Sequence, residues 1–324
     1  MTHAILVRTT GGPEVLEYTE IDRPSPRAGE LLVDVAAAGV NYIDTYQRSG
    51  AYTKPLPFVL GLEGAGTVAA VGDGVTDFAP GDRVVWMSGQ GSYAEQVAIN
   101  ADIAVRVPDG IDDETAAAAL LQGVTAHYLV VSTYPVKPGD TVLIHAAAGG
   151  VGLLLVQLAK TKGARVIATV STEDKEKLAR AAGADEVIRY TEVDFAAETR
   201  RLTDDRGVQA VYDGVGRTTF DGSLASLAPR GILVLFGASS GPVPPVDPQR
   251  LNQAGSLYLT RPTTAHYTAT PDELRWRAGE VFDAITSGTL SVRIGGRYPL
   301  PDAARAHDDL QARRTTGKLL LLPG

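Results

Sequence analysis

The sequence predicts an α/β fold: a mostly β domain joined to a doubly wound parallel-sheet domain, with the tail of the chain returning to the first. Three observations predict it. Up to about Val136, short β-like runs alternate with Gly- and Pro-rich turns, the mark of a compact β domain. From Val136–Asp140 onward, wholly apolar strands alternate with helices, the pattern of a parallel sheet buried on both faces. One strand-to-helix turn in that region is rich in glycine. A chain of 324 residues has room for about two domains, each with its own core. The boundaries are drawn at residues 1–124 with 266–324 for the first domain and 125–265 for the second.

In chain order, the β-like runs are ILVRTT, ELLVDVAAAGV, GAGTVAAVG, GDRVVWM and SYAEQVAI, with AGE, VGDGV and APGD as turns. TVLIHAA is then an apolar strand that ends near Ala146. GGVGLLLVQLAKTKG reads as a helix closed by Gly163. ARVIATV is the next strand and EDKEKLARAAG the next helix. EVIRY, ending on Tyr190, QAVYDGV and ILVLFG are further strands. The tail from about Pro271 holds a helical stretch, a β-like segment near Tyr298 and a last strand, KLLLLP.

The turn Gly149-Gly150-Val151-Gly152 sits between a strand and a helix. Glycine there lets the backbone approach a pyrophosphate, and the helix start presents N–H groups and a positive dipole end. In the G-x-G-x-x-G pattern Ala147 takes the first position, and Gly149 and Gly152 the others. The flanking strand and helix make this a Rossmann dinucleotide site rather than a mere packing turn. An NAD site places Asp or Glu about 20 residues on, at the end of the next strand. Here the strand ends Ala168-Thr169-Val170-Ser171-Thr172 with no carboxylate. Ser171, Lys175 and Tyr190 supply donors for a 2′-phosphate, which predicts NADPH. Glu173 and Asp174 oppose this, unless they cap the following helix. Lys175 also suits a solvated helix position.

Composition excludes several classes. Hydrophobic residues make up 44 % and charged residues 21 %, ordinary for a globular protein. Cysteine is absent, which removes disulfides, thiolate nucleophiles and thiolate zinc sites. No signal peptide is evident, and apolar stretches such as Leu153–Val156 and Leu319–Leu322 fall far short of a membrane span. A cytoplasmic location without a membrane partner is expected. The net charge of −8 repels phosphate backbones and argues against nucleic acid as a partner.

Several segments together resemble the quinone oxidoreductases, the zeta-crystallin-like family of the medium-chain dehydrogenase/reductase superfamily. They are GGPEVL, AAGVNYIDTYQRSGAY, GLEGAGTVAAVG, LLQGVTAHYL, HAAAGGVG, YDGVG, LFGASSG and LNQAGSLYLTRP, and the resemblance covers essentially the whole chain. It implies a GroES-like catalytic domain built from both chain ends, a Rossmann NADP-binding domain, a cleft between them and a homodimer paired through SLYLTRP. It also implies cofactor contacts. Asn41 and Tyr46 match positions beside the nicotinamide, and Thr125 and Tyr128 positions near its ribose and phosphates. Gly150 and Val151 match the pyrophosphate site; Ser171, Lys175 and Tyr190 match the 2′-phosphate pocket. Phe236, Gly237, Ser239, Ser240 and Gly241 form a loop on the nicotinamide side, and Arg313 comes from the tail. Asn41 equally suits a turn and Phe236 a core, and Gly237 and Gly241 suit any tight bend.

Zinc enzymes of this superfamily carry Gly-His-Glu where this chain has Gly61-Leu62-Glu63. Leucine cannot ligate a metal, and the histidines His3, His127, His145, His266 and His307 show no paired ligand spacing. No metal is expected. Without a Lewis acid the substrate must itself be a good hydride acceptor, so hydride transfer from NADPH to a quinone is the leading expectation. Tyr46 and Tyr52 are the candidate donors to the reduced oxygen or stacking platforms; both also suit packing in a half-buried loop. The alternatives are an NADPH-dependent enone or alkenal double-bond reductase, and a nucleotide-regulated RNA-binding or structural protein without turnover.

Overall fold

The computed structural model describes all 324 residues. The chain forms two compact units. The first comprises Met1–Leu121, Thr270–Thr286 and Val292–Gly324, the second Gln122–Ala269 and Ser287–Ser291. The division falls inside helix Asp113–Tyr128, a few residues before the sequence-drawn boundary, and the short piece Ser287–Ser291 joins the second unit from the tail.

The first unit is GroES-like. Its seven-stranded sheet is built round the long strand Glu30–Val40, which alternates buried and exposed residues where its outer face meets solvent. Strand Glu63–Val71 pairs antiparallel on one side of it, and Lys318–Leu322 and Gln96–Asn100 also pair with it. Leu319, Leu320 and Leu321 are at most 1 % exposed, each burial stabilising by roughly 1.5–3 kcal/mol. The tail therefore does return to the first domain, and strand Ile294–Pro299 lies parallel beside its last strand. A second, three-stranded sheet holds Thr2–Val7 between Leu16–Ile21 and Phe58–Val59.

The second unit is a six-stranded, wholly parallel sheet. Its spatial order is Glu186–Arg189, Arg165–Val170, Thr141–Ile144, Val208–Asp213, Leu227–Leu235 and Tyr258–Thr260. Strand order reverses between Thr141–Ile144 and Val208–Asp213, the place where such sheets bind ligands beyond the strands' carboxyl ends. Helices Gly150–Thr161, Glu173–Ala181, Phe195–Leu202 and Phe220–Ser226 connect the strands.

Local readings shift in four places. The strand before the glycine turn ends at Ile144, not near Ala146, because Ala146 turns into positive φ (51°). Tyr190 follows its strand, which closes at Arg189. The cap of helix Glu173–Ala181 is Thr172, whose hydroxyl accepts from the Lys175 N–H; Glu173 and Asp174 lie in the first turn instead. A helical stretch of 21 residues, Asp113–Thr133, reaches membrane-span length, but 72 % of its most apolar window is buried within the protein, as in a core helix.

Candidate active site and cofactor turn

The glycine turn is sterically enforced at Gly152, where a Cβ would lie 2.3 Å from the Ala146 carbonyl oxygen; at Gly150 a Cβ would meet only the movable end of the Gln122 side chain, at 2.0 Å from Oε1. Helix Gly150–Thr161 starts after Gly149 with no side chain capping it. Its first-turn N–H groups, which a helix cannot satisfy internally, receive no cap from Gly149 and are the donors that a pyrophosphate would use. Across the neighbouring strand, Ser171 and Lys175 are partly buried and Tyr190 is 38 % exposed. Thr191 Oγ1 donates to the Ser171 carbonyl at 3.0 Å, joining the two strand ends. No carboxylate stands at the end of strand Arg165–Val170. These features fit a 2′-phosphorylated dinucleotide.

Thr125 and Tyr128 are buried on helix Asp113–Tyr128, and the Tyr128 ring stacks on Tyr267 with centroids 4.3 Å apart. Tyr267 drew no notice in the sequence, since nothing local marks it as Tyr128's partner. The Phe236–Gly241 loop is laced to the loop after Val208–Asp213. Ser239 N–H donates to Gly214 O, Ser240 N–H to Val215 O, and the Thr218 N–H to Ser240 Oγ. A Cβ on Gly237 would lie 2.4 Å from Gly214 O, so this glycine is needed for loop-to-loop approach.

In the first unit, the segment carrying Tyr46 is a helix, Tyr42–Ser49, rather than a loop. Asn41 is its N-cap, and its backbone N–H donates to Asp44 Oδ2 at 2.8 Å. The rings of Tyr42, Tyr46 and Tyr52 follow one another at centroid distances of 5.8 and 5.3 Å. Tyr52, 45 % exposed, is tied by its N–H to the Tyr46 carbonyl. Arg313 is an exposed tail residue at positive φ (59°).

Behind these tyrosines lie two buried polar clusters. Asn41 Nδ2 donates to Glu63 Oε2 at 2.8 Å, Lys318 Nζ donates to Asn41 Oδ1 at 2.8 Å, and Lys318 is ion-paired with Glu63. Glu63 Oε1 also accepts the Leu121 N–H. The carboxylate of the Gly-Leu-Glu segment therefore faces an ammonium. In the second cluster, Arg48 donates to His307 Nδ1 and Tyr93 Oη donates to Asp44 Oδ2. His307 Nε2, 3.2 Å from Tyr93 Oη, is then the donor to it. Burial pushes the Asp44 carboxyl up to about 7, and burial next to the Arg48 charge takes His307 down to about 3. From the sequence, Lys318 has no role and His307 only a negative one, as a histidine without ligand spacing, because their partners are 255 and 259 residues away.

No three His, Cys, Asp or Glu side chains converge so as to hold a metal ion. The donor set does not fit zinc.

A GroES-like unit combined with a doubly wound nucleotide-binding sheet defines the medium-chain dehydrogenase/reductase class. The comparisons agree: residues 27–109 match the alcohol dehydrogenase GroES-like domain and residues 150–272 the zinc-binding dehydrogenase family. The chain belongs to the quinone oxidoreductase family of that class. It is 48 % identical to the quinone oxidoreductase of Pseudomonas aeruginosa, with 100 % of both chains covered. A mycobacterial protein solved with NADPH is similar at 60 % identity and TM-score 0.97, with 99 % of this chain and 100 % of that one covered. The Escherichia coli quinone oxidoreductase, also solved with NADPH, shares 45 % identity with TM-score 0.97 and the same coverage.

Proposed function

We propose that this protein is an NADPH-dependent quinone reductase that works without a metal. The observation that carries the reading is the pairing of an uncapped helix start after Gly149 with a neighbouring strand end that lacks an acid and offers Ser171 and Lys175. Bound NADPH supplies a hydride; the protein supplies binding and orientation. The helix start and Gly149–Gly152 receive the pyrophosphate, with Thr125 and Tyr128 towards the ribose. Ser171, Lys175 and Tyr190 read the 2′-phosphate. The Phe236–Gly241 loop, Asn41 and Tyr46 serve the nicotinamide end, and Arg313 adds a cofactor contact from the tail. Tyr46 and Tyr52 stack on the quinone or donate to the oxygen that gains charge, a contribution that grows as charge develops. A quinone accepts hydride without Lewis-acid help, as a site of this donor set demands.

Strand Tyr258–Thr260 pairs on one side only, with Leu227–Leu235, and Tyr258 is 62 % exposed; an unpaired edge of this kind invites a second copy. The charge of −8 supports a small-molecule substrate over nucleic acid.

The test is NADPH oxidation after dialysis against a strong chelator, run in parallel with a quinone and an α,β-unsaturated ketone. Turnover with the quinone, preferred over the ketone and unchanged by dialysis, is expected. Turnover confined to the ketone would move the protein to the double-bond reductases. A loss that zinc restores would overturn the metal-free reading. Sedimentation as a monomer at micromolar concentration would remove the dimer.

A further inference from the structure

His145 is 2 % exposed and lies at the carboxyl end of the second unit's sheet, directly after strand Thr141–Ile144. Its ring nitrogens meet two hydroxyls: Nδ1 is 2.9 Å from Thr169 Oγ1, and Nε2 is 3.0 Å from Ser223 Oγ. Ser223 Oγ in turn donates to Asp213 Oδ2 at 2.8 Å. Thr169, Ser223 and Asp213 are all at most 1 % exposed.

Donor counting sets the direction of this chain. A hydroxyl has one proton. Ser223 gives its proton to Asp213, so it must accept from His145 Nε2–H. A neutral imidazole with its proton on Nε2 accepts at Nδ1, so Thr169 donates there. Burial holds the His145 imidazole below its ordinary range, consistent with this neutral form.

The chain ends on the three segments that the proposed function assigns to NADPH. Thr169 belongs to the strand that delivers Ser171, and its carbonyl accepts the N–H of Ala147 in the glycine turn. Asp213 Oδ1 accepts the N–H groups of Val215 and Gly216, and Oδ2 accepts Thr219 Oγ1. The Asp213 carbonyl accepts the Phe236 and Gly237 N–H groups. One residue thus ties the two loops together, holding the loop after its own strand through its carboxylate and the Phe236–Gly241 loop through its backbone carbonyl.

We propose that Thr169, His145, Ser223 and Asp213 form a buried positioning relay that holds the 2′-phosphate, pyrophosphate and nicotinamide segments in register without touching the cofactor. This rests on the NADPH reading above. Low-dielectric networks of this kind fix geometry when every member is satisfied and lose it when one is removed.

The test uses the full-length protein with Thr169→Val and Ser223→Ala, which delete one hydroxyl each, and the conservative Thr169→Ser and Ser223→Thr. Each is titrated with NADPH and with 2′,5′-ADP, which lacks the nicotinamide. Ser223→Ala is expected to lower kcat about three- to thirtyfold, with 2′,5′-ADP affinity nearly unchanged; Thr169→Val is expected to weaken both ligands by a similar factor. The hydroxyl-keeping variants should recover most of each loss. Independently, ¹⁵N spectra of the ligand-free protein should show neutral His145 protonated on Nε2. Both deletions leaving affinity and kcat within twofold would overturn the relay, and so would a His145 protonated on Nδ1. If one deletion fails to fold, the other and the tautomer decide the matter. A parent protein that does not bind NADPH at all would instead refute the functional reading beneath it.

Discussion

Replacing Lys318 by methionine isolates the energetics of the buried pair with Glu63. Lys318 is 1 % exposed and Glu63 fully buried, so neither charge is screened by water. Met fills much of the lysine stem's volume but leaves the carboxylate with only the Asn41 amide and the Leu121 N–H. Removing one partner of a buried pair costs about 3–5 kcal/mol, because the survivor stays desolvated and uncompensated. Neutralising that survivor as well, in Glu63→Gln/Lys318→Met, should recover at least about half of the loss, since no bare charge remains. Trp86 and Trp276 are the only 2 tryptophans and both lie in the first unit, so urea unfolding followed by their fluorescence reports on this unit alone. A loss below about 1 kcal/mol for Lys318→Met, or a double variant as unstable as the single one, would refute the argument.

Four further outcomes are expected. Lys175→Glu should weaken NADPH about ten- to hundredfold, because a hydrogen bond to a charged group is replaced by repulsion; NADH affinity should hardly move, and an equal change for both cofactors would remove Lys175 from the phosphate site. Gly152→Ala, whose Cβ would meet the Ala146 carbonyl at 2.3 Å, should displace the helix start and cost NADPH affinity more than tenfold by calorimetry; wild-type affinity would show that the turn yields. Tyr46→Phe should lower kcat with little change in NADPH affinity, and single-turnover rates equal to the parent's would reduce Tyr46 to packing. The fourth concerns pH. His307 is depressed to about 3 when folded, so its share of stability is complete above its unfolded value of 6.5 and is lost as pH falls below it. Asp44, raised from 3.8 to about 7, has the opposite sign: its share is complete below 3.8 and lost as pH rises towards 7. Between pH 5 and 6 the two oppose each other. Asp44→Asn should therefore lose stability on acidification, and His307→Gln should not, the slopes differing by roughly 2–3 kcal/mol per pH unit. Parallel slopes in urea melts would contradict both assignments.

The doubly wound unit was readable because its strands are buried on both faces and so appear as unbroken apolar runs; TVLI, RVIATV and VQAVYD need no distant partner to be recognised. The glycine turn was readable because a steric demand leaves its mark in one place. Helix Tyr42–Ser49 was not, since aromatic and β-branched residues obscure its period. Its local signal is the Asn41-to-Asp44 spacing, an acid three residues after a capping residue. Lys318 heads an apolar run and looks like a strand end in solvent, because the acid that makes its burial tolerable comes from the other end of the chain. His145 could be dismissed as a ligand from sequence, but Thr169 and Ser223 had to be brought to it by the fold, from 24 and 78 residues away.

The position of the last strand sets an order of events on the ribosome. Strand Glu30–Val40 emerges early, yet one of its neighbours is Lys318–Leu322. Residues 122–269, nearly all of the second unit, are synthesised in between, and domains tend to fold as units as they emerge. The nascent chain thus carries a finished nucleotide-binding sheet while the earlier unit still has an open edge and the Glu63 carboxylate lacks its cation. An open edge is a template for pairing with other chains. Slow translation of the stretch that carries Lys318–Leu322 would prolong this vulnerable state, and a nascent-chain chaperone covering that edge would act on residues 30–40 long after they had left the exit tunnel.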